Sequence, residues 1–80
     1  MTIVNYLTMV YNIYVISYRP FWETLKNSSE STYTLINKHD VSSATVNRLR
    51  KGQGISTVTI DDLCKILCCR VSDIIEYIPD

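Results

Sequence analysis

The segment from Thr32 to Gly52, TYTLINKHDVSSATVNRLRKG, most restricts the folds open to this chain. Its apolar residues have the spacing of two short amphipathic helices. Between them, Asp40-Val41 has the composition of a tight turn, and Ser42 is a good N-cap for the second helix. Gly52 can end that helix, because glycine readily takes the left-handed conformation found just after a helix. The pattern therefore predicts two short helices joined by a defined turn.

The residues around the predicted cap also indicate how the two helices are held together. Val41 precedes the cap and Val46 lies four residues after it, so their side chains can form a hydrophobic staple. The staple would fix the angle between the helices. Val46 and Leu49 would both face inward, which leaves a polar and basic face of the second helix exposed.

The rest of the chain predicts helices on both sides of this unit. A first helix opens at Pro20, which is tolerated in a first helical turn, and places Trp22 and Leu25 in the core. The run Asn27-Ser28-Ser29 ends it. A fourth helix is predicted over residues 57–67. A fifth is predicted over residues 71–77, ended by Pro79, with these residues inward: Val71, Ile74, Ile75 and Ile78. The predicted fold class is all-α, a compact five-helix bundle with an N-terminal extension.

Residues 1–16, MTIVNYLTMVYNIYVI, form this hydrophobic extension, and their sequence leaves two structures open. Isoleucine, valine and tyrosine favour a strand, whereas the polar residues Asn5, Thr8 and Asn12 have helical spacing. The segment lacks the basic start of a secretory signal and is short for a membrane span. We expect it to pack on the domain or to pair with a partner chain, without a membrane role.

Size and composition disfavour an enzyme. An 80-residue chain buries only about 60–65% of its unfolded surface, which leaves little room for an enclosed active site. No nucleophile–base pair and no glycine-rich phosphate loop can be identified, and no cofactor is predicted. Three cysteines, Cys64, Cys68 and Cys69, are too few for a closed four-ligand zinc site. With His39 interpreted as a helix-end residue, no metal is expected, and a reduced, cytoplasmic location is the simpler interpretation of these cysteines.

The charge distribution points to a polyanionic partner, although the net charge is zero. Residues 38–51 carry four basic residues, Lys38, Arg48, Arg50 and Lys51, against one acid, Asp40. The acidic residues concentrate between positions 61 and 80. Because the local field steers a charged partner, the second helix of the unit is the candidate surface for a phosphate backbone.

Individual side chains on that helix suit DNA contacts. Arg48 can donate two hydrogen bonds to guanine, and Asn47 can pair with adenine or turn to a phosphate. Ser43 can donate or accept, and Ala44 can contact a thymine methyl group. The remaining candidates would bind phosphates: Arg50 and Lys51 on this helix, and Thr32 at the start of the first helix of the unit. The alternative interpretation is that this is only the solvated face of a surface helix.

Residues 16–80 resemble the short Xre/Cro-type helix-turn-helix regulators of bacteria and their mobile elements. The resemblance rests on YRPFW, VSSATVNRLRKG, LCKILCC and SDIIEYIPD. It implies the phage-repressor (lambda repressor-like) fold for a helix-turn-helix DNA-binding domain over residues 17–80, with double-stranded DNA as partner and a homodimer on a near-palindromic operator. Its implied DNA contacts are Thr32, Ser43, Ala44, Asn47, Arg48 and Lys51. The implied function is a sequence-specific transcriptional repressor; the alternative is an antitoxin-like protein-interaction module.

The chain departs from that family at three places. Asp40 replaces a frequent turn glycine, Ile36 replaces a small residue between the helices, and Ser43-Ala44 replace glutamines, which leaves the target sequence open. The first 15 residues lie outside the resemblance. We therefore hypothesise that translation starts at Val15, which the intact mass of the natively expressed protein would test.

Overall fold

The computed structural model describes residues 15–79. In this part of the chain, four α-helices are accompanied by a two-stranded antiparallel sheet and one 3-10 turn. In chain order these are β1 (Val15–Ser17), α1 (Arg19–Lys26), α2 (Thr32–Asn37), α3 (Ser43–Lys51), α4 (Thr57–Leu67), the 3-10 turn (Val71–Asp73) and β2 (Glu76–Ile78). The first four predicted helices are present, and the bounds of α4 are those predicted.

The described residues are mostly helical, as predicted, but the predicted fifth helix is not formed, so the five-helix count is wrong. Val71–Asp73 forms only a 3-10 turn, in which the N–H of Arg70 donates to Asp73 Oδ2 at 3.0 Å. The chain then becomes extended as β2. The β-branched isoleucine residues in and just before this strand favour an extended backbone once a partner strand is available. Val71, predicted inward, is 53% exposed, whereas Ile74 is completely buried.

The partner of β2 is β1. The strands pair Val15 with Ile78, Ile16 with Tyr77 and Ser17 with Glu76. Next to the pair, Arg19 Nε donates to Glu76 Oε2 at 3.1 Å. Of the two structures left open for residues 1–16, the strand is therefore present at positions 15 and 16. Residues 1–14, and with them the hypothesis of a start at Val15, lie outside the described range. The division of the chain after residue 16 stays a prediction.

The core lies where the helices and the 3-10 turn meet. Its buried members are Tyr18, Phe21, Leu25, Leu35, Val46, Leu49, Leu63 and Ile74. In α1, Leu25 is buried as predicted, but Trp22 is only half-buried, and the adjacent Phe21 is 0% exposed. Two long-range hydrogen bonds support this packing. Tyr18 Oη donates to the carbonyl of Gln53, in a loop, at 2.7 Å, and Thr24 Oγ1, on α1, donates to the carbonyl of Asp73, in the 3-10 turn, at 2.8 Å.

Candidate nucleic-acid interface

The first helix of the candidate unit, α2, is only six residues long and is held at both ends. Ser31 caps it: Ser31 Oγ accepts from the N–H of Thr34 at 3.2 Å, and the N–H of Ser31 donates to Thr34 Oγ1 at 2.8 Å. This reciprocal pair satisfies two N–H groups that a helix start otherwise leaves unpaired. At the other end, Val41 N–H donates to the carbonyl of Leu35 at 2.9 Å, which folds the turn back onto the helix.

The turn between α2 and α3 depends on an aspartate in a left-handed conformation. Asp40 has φ +60°, the region that aspartate enters more easily than most residues other than glycine. Aspartate in place of the glycine that is frequent in Xre/Cro-type regulators therefore preserves the turn. Within the turn, His39 Nε2 lies 3.2 Å from Glu30 Oε1. The side chain of Thr34, followed by His39, lowers the pKa of the Glu30 carboxyl group. The sequence did not predict that Glu30 would interact with this turn.

Helix α3 begins and ends as predicted. Ser42 Oγ accepts from the N–H of Thr45 at 3.1 Å and also donates to Thr45 Oγ1 at 2.9 Å. Gly52 ends the helix with φ +72°. Val46 is 1% exposed and Val41 packs against the core, which are the positions that the predicted staple requires.

Removal of the Ser42 cap is expected to weaken the unit measurably. Ser42→Ala leaves the Thr45 N–H without its acceptor, and loss of such a cap typically costs about 1 kcal/mol of unfolding free energy. Urea denaturation followed by circular dichroism measures this loss. The matched control is the neighbouring Ser43→Ala, an exposed position outside the cap, which is expected to change the unfolding free energy by less than about 0.5 kcal/mol. Equal effects of the two substitutions would contradict the role of the cap.

The outward face of α3 follows from helical geometry. Successive residues are about 100° apart around the axis, so Val46 and Leu49 share one side and point into the core. The opposite side carries Ala44, Asn47, Arg48 and Lys51, and the flank carries Ser43 and Arg50; all six are exposed. The structure thus brings together six of the seven residues predicted as DNA contacts.

The electrostatic character of this face is positive. Its basic residues, Arg48, Arg50 and Lys51, all lie in the last turn of α3, and the helix contains no acidic residue. Among residues 15–79, these three side chains form no ion pair. Their charges are therefore available to an external anion. The seventh predicted contact, Thr32, is on the other helix of the unit, half-buried at the first position of α2.

The three cysteines lie outside the helix-turn-helix unit and do not form a metal site in the part of the chain that the structure describes. Cys64 and Cys69 are half-buried against the core and Cys68 is exposed. Within the described residues, no three histidine, cysteine or acidic side chains lie close enough together to hold a metal ion. Over the same range, no helix has the length and apolar character needed to cross a membrane.

Comparison with known proteins supports a DNA-binding fold. Residues 21–80 match the model of the Cro/C1-type HTH DNA-binding domain. The chain is also similar to the crystal structure of the transcriptional regulator VanUg, Form II, with a TM-score of 0.74 and 28% sequence identity over 84% of this chain and 89% of that chain. No curated protein sequence matches. The family match covers three quarters of the chain, and the resemblance seen in the sequence is confirmed: the protein belongs to the Cro/C1-type helix-turn-helix DNA-binding family.

Proposed function

We propose that the protein is a sequence-specific transcriptional repressor that places α3 in the major groove of DNA. One observation carries the proposal: an exposed, basic face on a helix that is capped, terminated and anchored by two buried residues. The major groove is wide enough to admit an α-helix, and a helix-turn-helix unit holds its second helix there. A helix held firmly in place can present side chains to base edges in a reproducible register.

The proposed base contacts come from the side of α3 opposite its buried residues. Arg48 donates two hydrogen bonds to the N7 and O6 atoms of a guanine, and Asn47 pairs with an adenine or a phosphate. Ala44 contacts a thymine methyl group. Ser43, in the first turn of α3, donates to or accepts from a base edge.

The proposed phosphate contacts lie around the base-reading side chains. Arg50 and Lys51 occupy the last turn of α3, where their long side chains can reach the backbone. Thr32 lies in the first turn of α2, where its hydroxyl group and the neighbouring N–H groups can contact a phosphate on the other side of the groove. These contacts set register and affinity, whereas the base contacts set sequence preference.

Repression needs no catalysis in this proposal. The bound protein occupies a promoter and blocks polymerase, in keeping with the family membership and with a structural relative described as a transcriptional regulator. We propose that two copies bind as a homodimer. A two-fold symmetric dimer reads an inverted repeat with half-sites about 10 base pairs apart, one turn of the duplex.

Selection of bound duplexes from a random pool, followed by a salt titration, tests this function. We expect one enriched motif, arranged as an inverted repeat. With Arg50 and Lys51 from each of two protomers on phosphates, counterion release predicts a roughly 100-fold loss of affinity between about 50 and 200 mM salt.

The result that would contradict the proposal is equally specific. A protein-interaction module, the alternative function, would enrich no motif. Any weak DNA association by such a module would show the same affinity for every duplex. Salt dependence without sequence enrichment would mean that the basic face attracts DNA but that α3 does not read it.

A further inference from the structure

The end of helix α4 brings two of the three cysteines together. Cys68 takes the left-handed conformation, with φ +52° and ψ +51°, and its N–H donates to the carbonyl of Cys64. The N–H of Cys69 reaches the same carbonyl oxygen at 3.1 Å. The bond from Cys69 is the 6→1 bond of the Schellman motif, in which the residue after the left-handed position frequently contacts the side chain five residues before it. The backbone therefore sets the Cys64 and Cys69 side chains beside each other.

The two thiols also share one solvent-accessible groove. Cys64 and Cys69 line it together with apolar neighbours, Ile60 and Ile75, and both cysteines are half-buried free thiols. Cys68 is placed differently: it is exposed, and its Sγ is directed to the carbonyl of Lys65 at 3.7 Å. A small reagent entering the groove thus meets two thiols, while the third lies outside it.

We propose that Cys64 and Cys69 form an oxidative modification site, at which a peroxide converts the two thiols to one intramolecular disulfide. One sulfur attacks the peroxide, the O–O bond breaks, and a sulfenic acid and one water are formed. The second sulfur then attacks the sulfenic sulfur, the S–O bond breaks, and a second water leaves. Two thiols lose two electrons and two protons, and hydrogen peroxide is reduced to two waters.

The environment of Cys69 contributes to the pH dependence of this step. Burial, followed by the neighbouring Cys64, raises the pKa of the Cys69 thiol to about 11. Since the thiolate is the reactive form, Cys69 reacts slowly at neutral pH. Disulfide formation is therefore expected to accelerate as the pH rises towards that value.

The sequence offers a direct test, because trypsin separates the two cysteines. Cleavage after Lys51, Lys65 and Arg70 places Cys64 on the peptide 52–65, and Cys68 and Cys69 on the peptide 66–70. The full-length protein is treated with hydrogen peroxide, its remaining thiols are alkylated, and it is digested without reductant. We expect the two peptides joined and two hydrogens lighter than their sum, with the alkyl group on Cys68.

Matched serine variants decide which sulfurs are joined. Cys68→Ser is expected to keep the cross-link. Cys69→Ser is expected to reduce the yield of the cross-link by roughly ten-fold or more, because the end of α4 holds only Cys64 and Cys69 side by side. Fragment spectra of the unmutated protein give the same assignment without relying on the folding of a variant. A bond to Cys68, a cross-link between two protein molecules, or no joined peptides would each overturn the proposal.

Discussion

Replacement of Phe21 by alanine is expected to remove most of the stability of this domain. Phe21 is 0% exposed and lies edge-on against Trp22, with ring centroids 4.8 Å apart and planes at 77°. Deletion of a buried phenylalanine ring typically lowers the unfolding free energy by about 3–5 kcal/mol, through lost transfer energy and the cavity left behind. A domain this small buries a limited share of its surface, and its total unfolding free energy is expected to be only about 5 kcal/mol.

The measurement is urea denaturation at 25 °C, followed by helical circular dichroism. Phe21→Ala is expected to be partly or wholly unfolded before denaturant is added. The control is Tyr33→Ala, which removes an aromatic side chain that is 72% exposed and should change the unfolding free energy by less than about 0.5 kcal/mol. If Phe21→Ala costs less than about 1 kcal/mol, the ring is not a central part of the core.

Replacement of Arg48 by alanine is expected to weaken binding to the selected operator by about 10- to 100-fold, the range for loss of a bidentate contact to guanine. It should also relax the preference for that guanine. Lys51→Ala should differ in kind: affinity falls by a similar factor for all duplexes, and the dependence on salt becomes shallower by about one phosphate contact per protomer. Binding measured on the operator and on single-base variants separates the two outcomes.

The control for both substitutions is Lys65→Ala. Lys65 carries the same charge, but it lies on α4 and pairs with Asp61, Nζ to Oδ2 at 2.9 Å. Loss of this exposed pair should leave operator binding close to that of the unmutated protein. If Arg48→Ala binds the operator as well as Lys65→Ala does, the proposed reading face is wrong.

The helix-turn-helix unit could be predicted because its determinants are local. Ser42 caps the helix whose first residue follows it, and Gly52 ends that same helix. Asp40 supplies the left-handed turn residue between the two helices. The exposed positions of α3 follow from one periodicity and two buried residues. No distant part of the chain is needed for any of these assignments.

The end of the domain could not be predicted in the same way. The apolar spacing at Val71, Ile74 and Ile78 suits a helix, but the state of this segment depends on a partner strand more than 55 residues away along the chain. Phe21 and Trp22 illustrate a similar limit. These two neighbouring aromatic residues are both spaced to contact Leu25 on one helix face. Only the tertiary packing decides that Phe21, and not Trp22, is fully buried.

The pairing of β1 with β2 has a kinetic consequence. It joins Val15 to Ile78, so that its formation closes a loop comprising nearly all the described residues. The entropy lost on closing a loop rises with loop length, and contacts distant in sequence slow folding. We therefore expect the helices to assemble first. The pairing of β1 with β2 should form in a late step, after packing of the helices has brought the two strands close together.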